Sequence, residues 1–449
     1  MLGILRRPGL GAEIARGGAG VIVVAVANRV VLLLTAILLA RLLGPDGYGQ
    51  YSYALAWALL LAVLAKLGSR ELLIREIATY QLRGNWDRIL GLLRRATQVV
   101  TAVSVLVGAA LAGVVLAFAD RLGADRVATL LWASILAPTL ALATVRAAAL
   151  KGFRRVVAGK AQEQIVGPAI LLVAVAAYWL GDWPLDAPTV MSLHVAGTMV
   201  AFATGVILLR RALPPQVAVA TATYEDRRWL GSALPLAVLG GARLVHRQTD
   251  IVMLGLFLAA ADVGIYRTAV TGSLLVILAT DAVVDQLSPY AARLHARGDT
   301  ERLRRLVTSS TRAMTLTAMP LAVAFVLAGD RILSVVFGPE YATGHAALAI
   351  LGVAQMLSVA AGPAPMLLNM SGHERSTARS FTISALFNVA LNAVLIPVAG
   401  TIGAAVATAV SLLSWNLLLW REVRGKLGID SSVFGLHPRT GLRGPISGR

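Results

Sequence analysis

One stretch limits what this chain can become more than any other: residues 229–258, WLGSALPLAVLGGARLVHRQTDIVMLGLFL. About 20 apolar residues suffice to cross a hydrocarbon core of about 30 Å, so the stretch is long enough to span a bilayer. Yet Arg243, His246, Arg247 and Asp250 lie near its middle. At about 100° per residue these four share one face of a helix. A charge at mid-membrane costs about 3 kcal/mol or more, so this face is expected to meet protein or water and form one wall of an internal polar cavity.

The rest of the chain agrees with a membrane setting. Of its 449 residues, 57% are hydrophobic and 14% charged, with a mean hydropathy of +0.74. A soluble domain of that apolarity would lack polar surface. Without cysteine, disulfides, thiolate metal sites and cysteine nucleophiles are excluded, and the six histidines show no HExxH-type spacing. No metal or cofactor is expected. The net charge of +18 falls mainly on alternate connections between apolar segments, the positive-inside pattern, so it needs no nucleic-acid partner.

Twelve apolar segments are expected. The first ends near Leu43; the others lie at about 48–67, 95–118, 127–149, 157–180, 188–209, 230–258, 263–288, 312–328, 342–370, 378–397 and 401–421. Basic loops place both termini and the linker 210–229 in the cytoplasm. The opposite connections (GPDGYG, ADRLGADR, GDWPLDAP) are short, acidic and rich in Gly or Pro. The expected division is a six-helix lobe over 1–209, the linker 210–229, a second six-helix lobe over 230–426, and a basic tail over 427–449 that is expected to be disordered or on the surface.

The halves repeat. LGPDGYGQYSYA at 43–54 aligns with LAAADVGIYRTA at 258–269, offset 215, and DRIL at 87–90 aligns with ERLR at 301–304, offset 214. Gly152 corresponds to Gly372, offset 220. Such a duplication gives two lobes related by a pseudo-twofold axis along the membrane normal, with a substrate site between them. The same offset places Asn28 opposite Arg243, with Arg29 beside it. Arg29, Arg243 and Arg247 are therefore expected at similar depth, with Arg146 near the inner part of the fourth segment joining them.

At this point the chain resembles a known family. LLARLLGPDGYGQYSYALA (38–56) and RQTDIVMLGLFLAAADVGIY (247–266) are similar to the paired signatures of polysaccharide (O-antigen-type) flippases, in the multidrug/oligosaccharidyl-lipid/polysaccharide exporter superfamily. The resemblance implies an all-α membrane fold of twelve helices in two V-shaped, MATE-like lobes and alternating access. It also implies a non-enzymatic activity: transfer of a polyprenyl-pyrophosphate-linked oligosaccharide to the outer leaflet of the inner membrane. Its partners would be that lipid, the bilayer, polymerase or glycosyltransferases of the pathway, and H⁺ or Na⁺. Cationic cavity residues of the relatives are held to bind the head group; by position these are Arg29, Arg243 and Arg247, with Asn28, His246, Asp250 and Arg146 around them. The carboxylate typical of drug–cation antiporters is absent beside Asn28.

Guanidinium forks match a diphosphate bidentately. The plain alternative for Arg247 is an ion pair with Asp250, three residues on. Asp281 and Asp285, one turn apart, are candidates for ion coupling or for pairing with basic loops. Asn388 and Asn392 are expected to hydrogen-bond between helices, and Glu163 and Gln164 to lie at a wetted helix end. Other substrates of the same fold remain open: lipid II, a teichoic-type precursor or a drug. A glycosyltransferase would need a larger outer domain, and a scaffold would leave the arginines unexplained.

Overall fold

The computed structural model describes the backbone of residues 10–435 and most side chains from residue 20 onward. The side chains of Arg243, His246, Asp281 and Asp285 lie outside the described residues, so those four expectations are not placed by it.

The described chain is helical throughout. It runs α1 (Leu10–Lys66), α2 (Ser69–Arg83), α3 (Trp86–Ala117), α4 (Ala119–Leu122), α5 (Ala124–Gly152), α6 (Val156–Ala161), a π-helical turn (Gln162–Val166), α7 (Gly167–Leu180), α8 (Ala187–Ala212) and α9 (Pro215–Val219). There follow α10 (Asp226–Phe257), α11 (Ala260–Ser273), a 3₁₀ turn (Leu274–Ile277), α12 (Leu278–Ala296), α13 (Thr300–Val336), a second 3₁₀ turn (Pro339–Gly344), α14 (His345–Ala360), α15 (Ala364–Met370) and α16 (Glu374–Leu427).

Among the described residues, nine helices are long and apolar enough to span a membrane. The twelve expected segments fall largely in helix, two long helices each carrying two of them, although the segment 342–370 is broken at 361–363. In α1 the expected GPDGYG loop shrinks to a single break at Gly44, whose φ of 64° suits a residue without Cβ. Pro45 then opens the next run, where its missing N–H costs nothing. Gly400 breaks α16 in the same way, between the eleventh and twelfth segments. Helix α10 is not among these nine.

The chain packs as two compact units, residues 1–268 with 336–340, and 269–335 with 341–449. The boundary between these two compact units falls inside α11. The reason is local: α10 packs on α1 and α2, so it belongs to the first unit. The linker is itself fastened there. Thr223 donates its backbone N–H to the Asp87 carbonyl at 3.2 Å, and Glu225 binds Arg88 at 3.1 Å. The first unit's core gathers Leu73, Ile77, Tyr80, Ile89, Leu92, Val145 and Leu150 from α2, α3 and α5, with Trp229 of α10.

The tail departs from expectation. Residues 429–431 are buried against the second unit's Leu303, Val307, Leu367 and Leu419 cluster. Gly362, with φ 83°, separates α14 from α15 and leaves carbonyls without helical partners. Tail groups satisfy them: Val433 N–H donates to the Ala360 carbonyl at 2.8 Å, and the Ser431 hydroxyl to that of Ala361 at 2.9 Å. The expectation of disorder is therefore overturned as far as residue 435.

Candidate functional site

Helix α10 presents its polar residues differently from what helical phase alone implies. Arg247 is exposed, whereas Gln248, Thr249 and Asp250 are buried, Asp250 to 4%. A carboxylate inside an apolar bundle needs donors, and Asp250 has two. The Tyr266 hydroxyl of α11 donates to Oδ2 at 2.8 Å, and the Ile251 N–H donates to Oδ1 at 2.9 Å. Asp250 is thus a fastening between α10 and α11, not part of an open wall with Arg247. No ion pair joins the two, which removes the plain alternative for Arg247. Among the described residues no hydrogen bond or ion pair engages this guanidinium.

Asn28 and Arg29 sit half-buried on the first run of α1, the helix against which α10 packs. Arg146 has partners on neighbouring helices. It donates from Nη1 to the Thr97 hydroxyl at 3.0 Å and lies 5.7 Å from the Phe202 ring centroid, so it is occupied among α3, α5 and α8. The reason is packing: Gly205 of α8 lets that helix approach so closely that an added Cβ would sit 3.0 Å from the Cβ of Arg146. Asn388 and Asn392, both fully buried, bond within one helix and not between helices, from Asn392 Nδ2 to the Asn388 carbonyl at 2.9 Å.

Two features near the far end of α10 had no sequence signal beyond the repeat. Arg126 of α5 donates to the Gly255 carbonyl at 2.7 Å, with its guanidinium 5.0 Å from the Tyr53 ring. Beyond it, the repeat-related glycines Gly49 and Gly264 make a reciprocal crossing. A Cβ on Gly49 would lie 1.7 Å from the Ala260 carbonyl oxygen, and one on Gly264 would lie 2.1 Å from that of Pro45. At the offset of 215, Pro45 corresponds to Ala260, so each glycine meets the same point of the other copy. Their repeat-related tyrosines also take up polar partners: Tyr266 binds Asp250, and the Tyr51 hydroxyl lies 2.9 Å from His194 Nδ1.

With the internal repeat and the exposed Arg247 of α10 in view, comparison with known proteins identifies the family. The sequence profile of the polysaccharide biosynthesis protein family matches residues 14–295. The chain belongs to that family. It is 28% identical over 296 residues to the probable low-salt glycan biosynthesis flippase Agl15 of Haloferax volcanii; the match takes in 65% of this chain and 59% of that protein. The chain therefore aligns with somewhat under two thirds of this relative's length.

The fold of this family member is that of the MOP transporters. An inward-facing MATE multidrug transporter superposes with TM-score 0.68 at 12% identity, covering 89% of this chain and 95% of the other. The lipid II flippase MurJ superposes with TM-score 0.62 at 13% identity, covering 90% and 87%. The chain is a multi-pass membrane protein of that architecture.

Proposed function

We propose that this protein is an inner-membrane flippase that moves a polyprenyl-pyrophosphate-linked oligosaccharide from the cytoplasmic to the outer leaflet. The two lobes, 1–209 and 230–426, joined by the linker 210–229, alternate access to a central cavity, with both termini cytoplasmic. Arg29, Arg243 and Arg247 hold the diphosphate, Asn28 and His246 border it, and the polyprenyl chain stays in lipid. Asp281 and Asp285 couple the cycle to H⁺ or Na⁺. Enzymes of the same pathway supply the lipid-linked saccharide and consume it.

The observation that carries this reading is Arg247. A guanidinium near the middle of a membrane-length helix, exposed and with its near acid Asp250 engaged by Tyr266, needs water or an anionic ligand in front of it. Family membership and the similarity to a glycan biosynthesis flippase of Haloferax volcanii support a saccharide-bearing lipid over a drug. Binding alone moves nothing; the two facing states must differ in affinity for the head group.

The test is reconstitution in liposomes with a lipid-linked oligosaccharide, lipid II and a cationic dye as parallel substrates. The oligosaccharide is expected to be flipped, and Arg247→Ala or Arg243→Ala to lower that rate at least tenfold at equal membrane insertion. Transport of lipid II or dye alone, or full activity of both variants, would overturn the assignment.

A further inference from the structure

A second group of cations lies in the first unit, at the end that carries α2 and its basic loops. Lys151 closes α5, Arg70 stands in the first turn of α2, and Lys66 ends α1. All three gather on one carboxylate, Glu163. Lys151 Nζ contacts Glu163 Oε2, and Arg70 Nε lies 3.5 Å from Oε1. Lys66 is near enough to interact electrostatically with both Glu163 and Arg70. Among the described residues no hydrogen bond engages its ammonium.

Three features set this cluster apart from a wetted helix end. The side chains of Lys151 and Glu163 are only 11% and 18% exposed, so their charges are poorly hydrated. Glu163 also sits in the π-helical turn, where one extra residue per turn re-aims the side chains, a feature that recurs at functional sites. The turn is pinned by its neighbour Gln162, whose buried amide donates to the Ala201 carbonyl at 2.7 Å. Finally, the charges do not balance. Glu71 takes Arg70 at 3.0 Å from the outside, with 45% of its side chain exposed, and also acts on Lys66, so three cations share the two carboxylates of Glu163 and Glu71.

A structural ion network pairs its charges, because an unmatched buried cation is costly. An excess of half-buried cations over carboxylates is instead suited to an incoming anion of more than one charge. Burial opposes the charge on Arg70, but Glu163 and the hydrogen bond to Glu71 outweigh it and hold the guanidinium firmly protonated. Ammonium and guanidinium donors of this kind form short, charge-assisted bonds to phosphate oxygens.

We propose that Lys66, Arg70 and Lys151 form a phosphate-binding site at the basic end of the first unit, separate from Arg247, in which Glu163 is the resident anion that a phosphate displaces. On the flippase reading, on which this rests, the ligand is the diphosphate of the lipid substrate, held here on the cytoplasmic side before transfer to Arg247.

The experiment uses the full chain in nanodiscs, with binding of inorganic pyrophosphate and of undecaprenyl pyrophosphate measured for wild type, Lys66→Gln, Lys66→Arg, Glu163→Gln and Arg302→Gln. Lys66→Gln is expected to weaken binding at least tenfold, Lys66→Arg to restore most of it, and Glu163→Gln to tighten it several-fold. Arg302→Gln, an exposed charge removed on α13, should stay within twofold. Tighter binding on loss of an acid is an outcome that a merely structural pair does not produce. If Glu163→Gln does not fold, the Lys66 pair decides alone. Binding of the lipid but not the inorganic ion assigns the site to a head group, and equal binding assigns it to free phosphate; either supports it. Unchanged affinity in Lys66→Gln overturns it. A protein that flips lipid-linked saccharide while Lys66→Gln binds normally loses this site and keeps the flippase reading. Lys66-dependent binding without any lipid transport keeps the site and loses that reading.

Discussion

The segments that follow the sixth and twelfth expected helices meet the same problem with different chemistry. After α8 the chain folds back onto α3; after α16 it folds back onto α13, the helix that matches α3 in the repeat. In the first unit the fastening is largely ionic. Arg95 holds Asp226 at 2.8 Å, and Glu225 accepts from the Tyr80 hydroxyl at 3.0 Å, Arg88 at 3.1 Å and Arg228 at 3.2 Å. In the second unit it is made of backbone. Arg312 donates to the Val433 carbonyl at 3.0 Å, and the Thr311 hydroxyl to that of Ser431 at 3.1 Å.

Each return path also crosses a glycine: Gly91 under the Thr223 carbonyl and Gly362 under that of Ser431, where a Cβ would fall 1.9 Å from the oxygen. The difference teaches that close approach is common to both units, whereas carboxylate acceptors hold the linker and backbone carbonyls hold the tail. Partly exposed ion pairs weaken as salt rises; buried backbone bonds do not.

That contrast can be broken most severely at Gly362. Gly362→Val puts a β-branched residue at φ 83° and drives it into Ser431, and a loss of about 3 kcal/mol or more is expected, read as failed folding or a lowered melting temperature. The linker side should respond less. Glu225→Gln is expected to cost about 2 kcal/mol by loosening three donors, and 1 M salt should shrink its difference from wild type while leaving the Gly362 effect intact.

Tyr80 supplies a pH test of the same junction. Burial, and then its bond to Glu225 and the nearby Glu225 and Glu76 charges, raises its phenol above the ordinary 10.0, although the donor from Trp229 acts the other way. The folded state therefore keeps the proton longer than the unfolded chain. Its contribution is complete below pH 10 and is lost as pH rises through the folded value. Wild type should lose stability above pH 10 faster than Tyr80→Phe; parallel melting curves would contradict this. The smallest effect is expected for Asp226→Asn, within about 0.5 kcal/mol, because its ion pair with Arg95 is exposed to solvent.

Much of the architecture was legible in the chain. Apolar length and alternating loop charge located the helices, and the repeat aligned Gly49 with Gly264 without showing that they cross. The breaks at Gly44 and Gly400 were narrower than the loops expected there, since one glycine with positive φ turns the chain without further residues. Site residues were read less well. Helical phase put Asp250 beside Arg247, but phase carries no information about which edge of a polar face meets a neighbour, and Tyr266 claims Asp250. The partners of Arg146 were hidden for a similar reason: Thr97 and Phe202 come from other helices. The ordered tail had no apolar run to announce it, because its hold depends on carbonyls freed 70 residues earlier.

By itself the sequence determined that this chain crosses a membrane many times, in two related halves. Those properties follow from hydropathy, loop charge and internal repetition, each carried by local residues. Only the tertiary structure decided that Asp250 is spent on Tyr266, and that Lys66, Arg70 and Lys151 converge on Glu163. Partners of this kind come together from distant turns of the chain, and it is the solvation cost of a charge that makes their pairing, or its absence, matter.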